Sequence, residues 1–439
     1  MLPGLATTTD SLRAEVTELL QELIRLDTVN PPGNETAAAE LLRDYLAESG
    51  VESELYAREP ARANLVARIP GRGDGPSFLL LSHTDTVVAD PAEWQVDPWS
   101  GELRDGEIWG RGALDMKGEV AASAVAIASL ARDGFQPQGD LIFVAAADEE
   151  VGYDFGLSWL CKEHPDAVRA DYALNEGAGE RVEFAGRPFY LCSTAEKMSS
   201  PFRLVVHGRA GHASMPGIAD NALVKAAPLI ERLAEYRPAL RLEAETAALV
   251  EAIAGQRLEA SQALDLARGL DPFAAELLEP LLSLTVSPTM ISASERRNVI
   301  PSVCEVVVDC RLLPGVPQAD AEPELREVLG EGDYDFEWIE GRGGTRSPLD
   351  TQLWEAVSEF VREIEPGAAA VPVACAGFTD SHWLRESFGT VAYGFFPMRS
   401  MDMQLAARLI HSADERIRED DLELGLECFR HVARTVCGG

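Results

Sequence analysis

The sequence predicts an α/β fold in which a mixed, largely parallel sheet is flanked by helices and interrupted by an inserted α+β domain. Strand-like apolar runs alternate with helical patterns up to about Ala195, which is typical of parallel strands joined by helices. Beyond Ala195 strands follow one another more closely, and after Gly344 helices and strands alternate again. One domain interrupted by another is the simplest organisation that gives this pattern.

The first elements of the predicted sheet follow from hydrophobic periodicity. Apolar residues at helical spacing predict helices over 11–24 and 36–46, and the turn-forming sequence Asn30-Pro31-Pro32-Gly33-Asn34 separates them. The next predicted elements are strands 64–69 and 78–82, a helix of small residues over 117–132, and strand 140–147. In sheets of this kind, sites form at the C-terminal ends of the strands.

The inserted domain has a βα…ββαβ order, typical of a small antiparallel sheet backed by helices. Its predicted elements are strand 202–206, helix 221–235, a polar helical stretch over 242–282, strands 284–291 and 302–312, helix 322–329 and strand 334–339. The α/β pattern then resumes with helix 352–364, strands near 371 and over 391–395, and a helix from about 420. We therefore expect one discontinuous domain, 1–195 and 341–439, and an inserted domain, 196–340.

Composition argues against several classes of partner. The chain has 439 residues and a net charge of −35, so nucleic acid and anionic membrane surfaces would be repelled. Its seven cysteines are odd in number and form no CxxC pair, which favours a reducing cytosol over a disulfide framework. Neither a signal peptide nor a transmembrane run is recognisable, so we expect a cytoplasmic protein.

The first chemical signal is the apolar run 79–82, which is followed by His83 and Asp85. Alternate residues of a strand point to the same side, so these two side chains converge at the strand end. A carboxylate that accepts one ring N–H leaves the other imidazole nitrogen available to a metal. A structural hydrogen bond is the alternative interpretation of this pair taken alone.

Further acids and one histidine follow other strands or loops. Asp115 lies in the glycine-rich loop 110–118, where it either caps the following helix or points into a cleft. Asp148, Glu149 and Glu150 follow strand 140–147. One of the two glutamates could bind a metal while the other carries a proton, and the alternative interpretation is a solvated acidic turn. Glu176 follows the apolar run 172–174, and His411 follows Leu409-Ile410.

Together, two histidines and three carboxylates form a nitrogen and oxygen ligand set suited to zinc, manganese or cobalt. The set consists of His83, Asp115, Glu150, Glu176 and His411. Its three negative charges and one hydroxide balance the charge of two divalent ions, and Asp115 is a good candidate for a bridging ligand. Glu149 is then a spare carboxylate that could take a proton from the bridging water. No GxSxG sequence supports a serine hydrolase instead.

These motifs resemble, in order and spacing, those of the M20 family of metallopeptidases, which includes aminoacylase-1, carboxypeptidase G2 and succinyl-diaminopimelate desuccinylase. The resemblance is carried by His83-x-Asp85, the run from Gly112 to Gly118, Asp148-Glu149-Glu150, Asn175-Glu176-Gly177 and His411. It implies that 1–195 and 341–439 form a zinc-binding catalytic domain. It also implies that 196–340 is a lid and dimerisation domain, and that the protein is a homodimer.

The resemblance also implies residue roles. Asp115 would bridge two Zn²⁺ ions (or Co²⁺ or Mn²⁺), with Glu150 and His411 on one ion and His83 and Glu176 on the other. Asp85 would orient His83, and Glu149 would be the general base.

In the lid, His212 within the sequence 208–214 would stabilise the oxyanion, often from the partner subunit, and Asn298 and Arg311 would hold the substrate. An ion pair with Asp309 is the alternative interpretation of Arg311. His382 stands where aminoacylase-like members carry an arginine, which leaves the substrate open.

The expected function is hydrolysis of the amide bond of a small N-acyl amino acid or short peptide by a metal-bound hydroxide. A carboxypeptidase or dipeptidase, or an N-carbamoyl amidohydrolase, is the alternative within the family. A non-catalytic protein that binds metal or peptide is a more remote one.

Overall fold

The computed structural model describes residues 9–152, 154–184, 186–270 and 272–438. These residues divide into two compact units. The larger unit runs to Thr194 and continues over Ser347–Val373 and from Thr379 onwards. The smaller unit comprises Ala195–Arg346 and Ala374–Phe378. Each unit is therefore assembled from more than one segment of the chain.

Helices and strands alternate in the N-terminal segment of the larger unit. In chain order they are α1 Thr9–Ile24, α2 Thr36–Glu48, β1 Glu52–Ala57, β2 Ala63–Ile69, β3 Phe78–His83, β4 Glu102–Arg104, β5 Glu107–Trp109, α3 Lys117–Arg132, β6 Leu141–Ala146, α4 Leu157–Glu163, α5 Pro165–Val168, β7 Tyr172–Asn175, β8 Arg181–Phe184 and β9 Arg187–Glu196.

The segment that forms most of the smaller unit contains β10 Met198–Ser199, β11 Phe202–His207, β12 Gly211–His212, α6 Ala222–Glu235, α7 Ala244–Ala254, α8 Ala260–Leu270, α9 Pro272–Leu278, β13 Thr285–Ser292, β14 Val299–Ile300, β15 Val303–Leu312, α10 Gln318–Leu329, β16 Tyr334–Trp338 and β17 Arg342–Gly343. The remaining elements are α11 Gln352–Ile364, β18 Ala369–Cys375, α12 Ser381–Phe388, β19 Val391–Gly394, α13 Met403–Leu409, β20 Arg416–Arg418 and α14 Glu419–Cys437.

The large sheet has the strand order β1-β2-β6-β3-β7-β19-β9-β18, and β8 pairs with β9. Its centre is parallel, because β3 pairs in parallel with β6 and β7, and β7 with β19. The pairs β1–β2, β2–β6, β8–β9 and β9–β19 are antiparallel. The sheet is therefore mixed, as expected, with a parallel centre, and the short connection 58–62 allows β1 and β2 to pair only as antiparallel neighbours.

Strand β3 lies at the centre of this sheet and carries apolar side chains on both faces. Phe78 and Leu80 pack into one hydrophobic core, and Leu79 and Leu81 pack into another. All four side chains are fully buried, as expected for a parallel strand covered by helices on both sides. Helix α3 packs against α1, α14 and β3, and its many alanines permit this close approach. His83 is therefore the last residue of a buried central strand and lies where the carboxyl ends of the parallel strands meet.

The smaller unit is built on an antiparallel sheet with the order β16-β11-β15-β10-β17, in which β13 also pairs with β15. Helices α6 and α10 supply apolar residues to the core that covers one face of this sheet. The polar helical stretch expected over 242–282 consists of α7, α8 and α9, which enclose a small core of their own.

The described residues contain neither a disulfide nor a helix that could span a membrane. No disulfide joins the seven cysteines, all of which lie in the described part of the chain. Among the described residues, every helix is too short or too polar to cross a bilayer.

The main elements absent from the sequence-based expectation are β1, β9, α12 and α13, which combine apolar and polar residues without a clear period.

Candidate metal centre

His83 ends strand β3 and faces two carboxylates. Its Nε2 lies 3.2 Å from Oδ1 of Asp115 and 3.7 Å from Oε1 of Glu176. Its Nδ1 lies 3.0 Å from the backbone oxygen of Asp85 and 3.4 Å from the Asp85 carboxylate, so the backbone oxygen is the nearer acceptor. Either acceptor places a proton on Nδ1 and leaves Nε2 as a potential ligand atom.

His411 forms a second group with the other oxygen of Asp115. Its Nε2 lies 3.0 Å from Oδ2 of Asp115 and 3.2 Å from Oε2 of Glu150. The ligand atoms of His83, Asp115 and Glu176 all lie within 4.8 Å of one another, and so do those of Asp115, Glu150 and His411. The two groups therefore share Asp115, with one carboxylate oxygen directed to each.

The loop that carries Asp115 is held by a residue that the sequence analysis did not single out. Glu415 is fully buried, and its carboxylate accepts the backbone N–H groups of Gly112, Leu114 and Asp115 at 3.0, 2.8 and 3.0 Å. It also accepts a hydrogen bond from Nη1 of Arg111 at 2.6 Å. The one sequence signal for Glu415 was its position four residues after His411.

Glycine is required within this loop. Gly112 has a φ of +86°, and a Cβ there would lie 2.8 Å from Cγ2 of Thr86. A larger residue would therefore be strained and would push the loop away from the end of β3.

Glu149 and Glu150 are presented by a turn whose first residue, Asp148, has a left-handed φ of 63°. The backbone N–H groups of Glu149 and Glu150 each donate to the Asp85 carboxylate at 3.1 Å. Glu150 belongs to the His411 group, whereas Glu149 is buried and belongs to neither ligand group. The two adjacent acids thus occupy different positions.

The electrostatics of this region reflect many acids in a small buried volume. Burial and the neighbouring carboxylates raise the pKa of Glu149 and of Glu176 well above the usual value. Hydrogen bonds to Asp115 and Glu150 raise the pKa of His411 from 6.5 to about 10. Burial opposes ionisation of Asp115, but hydrogen bonds from His411 and His83 outweigh it and lower its pKa.

The donor set fits divalent cations. It combines two imidazole nitrogens with three carboxylates, and Oε1 of Glu150 is buried without a hydrogen-bond partner. Excess negative charge in a buried site is costly unless cations or protons offset it. Hard or borderline ions such as Zn²⁺, Mn²⁺ and Co²⁺ match these ligand types.

Three candidate residues lie in the smaller unit. His212 is exposed in β12, and its Nδ1 accepts the backbone N–H of Ser214 at 3.2 Å. Asn298 is exposed, and its backbone oxygen accepts the N–H of Ala213 at 3.0 Å, so it lies beside the His212 segment. Arg311 makes a bidentate ion pair with Asp309, at 3.1 Å from Nε and 3.0 Å from Nη2. The ion pair with Asp309, the alternative interpretation of Arg311, is thus present.

His382 lies in the larger unit, at the start of α12. Its ring is buried, stacks edge-on against Trp383 at 4.8 Å and has Nε2 3.4 Å from Oε2 of Glu386. The preceding Asp380 was not singled out from the sequence, yet it is buried and contributes to the raised pKa of Glu149 and Glu176. Its loop joins the Glu176 strand end through a 3.2 Å hydrogen bond from Asn175 to Ser381.

Comparison with known proteins finds one family and relatives over nearly the whole chain. Residues 79–435 match the model of peptidase family M20/M25/M40. Aminoacylase-1 of Sus scrofa is 27% identical over 95% of this chain and 94% of its own length. Succinyl-diaminopimelate desuccinylase of Cereibacter sphaeroides is 28% identical over 92% of this chain and 94% of its own length.

Among solved structures, an M20 family metallo-carboxypeptidase from Sulfolobus solfataricus superimposes with a TM-score of 0.73. It covers 96% of this chain and 99% of its own, at 18% sequence identity, so it shows a shared fold.

The buried carboxylate of Glu415 generates a first prediction. Glu415→Gln removes the ion pair with Arg111 and leaves one acceptor oxygen for three backbone N–H groups. Because the Asp115 loop would loosen, we expect divalent ions to bind about 10–100-fold more weakly. Competition with a chromophoric chelator measures this affinity. Glu423→Gln, which removes the charge from the partly buried ion pair with Arg13, is the matched control and should bind like the wild type. Equal affinities for both variants would contradict the role of Glu415.

Proposed function

Because this chain belongs to peptidase family M20/M25/M40 and is a metallohydrolase acting on amide bonds, we propose that it hydrolyses small N-acyl amino acids or short peptides at a two-metal centre. The observation that carries the proposal is the sharing of Asp115 between two ligand groups. A carboxylate with one oxygen directed to each group suits the bridging position of a two-metal hydrolase.

In this proposal, His83 and Glu176 hold one ion, Glu150 and His411 hold the other, and Asp115 bridges them. Zn²⁺ is the expected ion, with Co²⁺ or Mn²⁺ as substitutes, because the donors are nitrogen and oxygen atoms. When bound, such ions would polarise the substrate carbonyl and lower the pKa of bound water. Asp85 accepts the Nδ1 proton of His83 and so orients the imidazole, which keeps Nε2 of His83 available to a metal ion.

Glu149 is proposed as the general base. It lies next to the ligand Glu150 but outside both ligand groups, so its carboxylate remains available for proton transfer. It would take the proton of the attacking water and deliver it to the nitrogen of the leaving amine. Its burial keeps bulk water from competing for that proton.

His212 is proposed as the donor to the tetrahedral oxyanion. Its Nδ1 accepts the N–H of Ser214, so the ring proton of the neutral imidazole is on Nε2. An Nε2–H on an exposed side chain is a suitable hydrogen-bond donor to developing negative charge. We propose that His212 acts on the active site of the partner subunit in a homodimer formed through the smaller unit, which then serves as lid and dimerisation domain.

Substrate recognition is assigned to Asn298, Arg311 and His382. Arg311 would exchange its contact with Asp309 for the substrate carboxylate, since a guanidinium binds carboxylates in a bidentate manner. The relatives named for aminoacylase and desuccinylase activities favour an N-acyl amino acid, and the metallo-carboxypeptidase favours a peptide as the alternative. A cytoplasmic location stays a prediction from the cysteine content.

The experiment that tests the function compares substrates and metals together. Metal-free protein is reconstituted with Zn²⁺, Co²⁺ or Mn²⁺ and assayed against N-acetyl and N-succinyl amino acids, dipeptides and N-carbamoyl amino acids. We expect activity to vanish after chelation, to return with two ions per chain and to be highest on an N-acyl amino acid. No hydrolysis of any compound by fully metallated protein would contradict the proposal.

Glu149→Gln tests the general base. The amide cannot accept the proton, so kcat should fall by about 10²–10⁴-fold while both metals remain bound. Metal content by atomic emission and kcat are the two measurements. Glu150→Gln is the matched comparison, because it removes a proposed ligand and should lose metal as well as activity. Unchanged turnover of Glu149→Gln would eliminate this role for Glu149.

Mixing two inactive variants tests His212 and the dimer. His212→Ala should retain its metals and lose activity, as Glu149→Gln does. If His212 acts across the dimer, subunit exchange forms heterodimers with one intact site, and about a quarter of the wild-type sites return. Activity that stays at the sum of the two variants after exchange would show that the histidine acts within its own subunit or not at all.

A further inference from the structure

We propose that Asn30 is a positioning residue of the metal centre, because its side-chain amide joins the buried carboxylates of Asp85 and Asp148 and so sets the turn that presents Glu149 and Glu150. The inference rests on the proposed function of that site. Asn30, Asp85 and Asp148 belong to neither of the two ligand groups.

Asn30 is brought to the site by a short segment that runs beside the continuation of β3. Residues Val29 and Thr86 form a parallel bridge. The N–H of Asn30 donates to the oxygen of Thr86 at 2.9 Å, and the N–H of Thr86 donates to the oxygen of Thr28 at 3.1 Å. The backbone position of Asn30 therefore does not depend on its side chain.

The side-chain amide of Asn30 lies between two acids. Its Nδ2 is 3.0 Å from Oδ2 of Asp85 and 2.8 Å from Oδ1 of Asp148. The three residues are 4%, 0% and 2% exposed, so water cannot separate the two carboxylates. An amide nitrogen has two N–H donors and no charge, which allows one group to satisfy both acids. Without it, two like charges would face each other in a medium of low dielectric constant.

Asp85 links Asn30 to the turn that carries Glu149 and Glu150. Its two oxygens accept the backbone N–H groups of Glu149 and Glu150, both at 3.1 Å. A shift of the Asp85 carboxylate would therefore move the proposed base and a proposed ligand together. It would also change the environment of His83, whose Nδ1 lies 3.4 Å from the same carboxylate.

Asp148 begins the turn with a left-handed φ of 63°, a conformation that residues other than glycine adopt rarely and that the surroundings must stabilise. Its Oδ2 accepts the N–H groups of Asp154 and Phe155 at 3.1 and 3.2 Å, and its Oδ1 accepts from Asn30. These hydrogen bonds hold the strained turn in place.

A buried ion pair completes the network behind Asp148. Nη2 of Arg62 donates to Oδ1 of Asp148 at 3.0 Å, and Nε and Nη2 donate to Glu35 at 2.6 and 2.7 Å. One arginine thus contacts two buried acids, and Asp85 is linked to Asp148 through Asn30. Loss of the neutral bridge at Asn30 leaves these charges unchanged, so weaker cation binding in such a variant would report displacement of the turn that carries Glu149 and Glu150.

The test measures metal affinity in the full-length protein, because a residue that only supports the fold would not alter it selectively. Asn30→Ala removes both donors, and Asn30→Ser retains one hydroxyl donor. We expect Zn²⁺ dissociation constants, measured by chelator competition, to rise about 10–100-fold in Asn30→Ala and less in Asn30→Ser. We also expect kcat to fall with little change in KM, because the bridge does not touch substrate.

Asn34→Ala is the matched control, since Asn34 lies in the same loop, is exposed and makes only a 3.4 Å hydrogen bond to a backbone oxygen. It should bind Zn²⁺ like the wild type. Wild-type affinity in Asn30→Ala would overturn the role of Asn30, and so would a lower unfolding temperature of the metal-free variants without any change in affinity or kcat. A wild-type protein that binds no divalent ion would instead overturn the proposed function, and this inference with it.

Discussion

The two oxygens of Asp115 face two histidines, and much of the surrounding structure serves to hold that carboxylate in place. Strand β3 brings His83 from one side, and the segment after α13 brings His411 from the other. The glycine-rich loop permits the close approach, and Glu415 ties its backbone N–H groups to one buried carboxylate. A carboxylate that belongs to two groups requires a fixed position, because a displacement towards one group is a displacement away from the other.

Buried charge is the cost of such a site, and the larger unit offsets it mainly with neutral donors. Backbone N–H groups and one asparagine amide satisfy Asp85, Asp148 and Glu415. Arginine is used where a carboxylate needs a countercharge, as in the pairs Arg111–Glu415 and Arg62–Glu35. Neutral donors fix the orientation of an acid without cancelling its charge, so the region keeps the negative potential that attracts cations.

Much of the fold could be predicted from the sequence, and so could the grouping of His83, Glu150 and Glu176, because these residues follow apolar runs whose strand character is local. Helix α3 and helix α11 begin and end where their periodicity indicates. The supporting residues could not be predicted. Glu415 contacts a loop about three hundred residues away, and Asn30 lies in a turn whose composition shows no more than a break between helices. The ion pair between Arg311 and Asp309, by contrast, could be anticipated, because residues two positions apart on a strand lie on the same face. Hydrogen bonds between distant segments leave no periodic trace in a single sequence.

The discontinuity of the larger unit imposes an order in time on the assembly of the centre. During synthesis, His83, Asp115 and Glu176 leave the ribosome before the smaller unit, whereas His411 and Glu415 follow it. The first group can thus gather while the chain is still growing, but the second must wait for the last elements. The Asp115 carboxylate spends this interval without the contact to His411, and its loop lacks the hydrogen bonds to Glu415. Completion of the centre is therefore among the last events in the maturation of the protein, and a chain that stops short of residue 411 carries half a site.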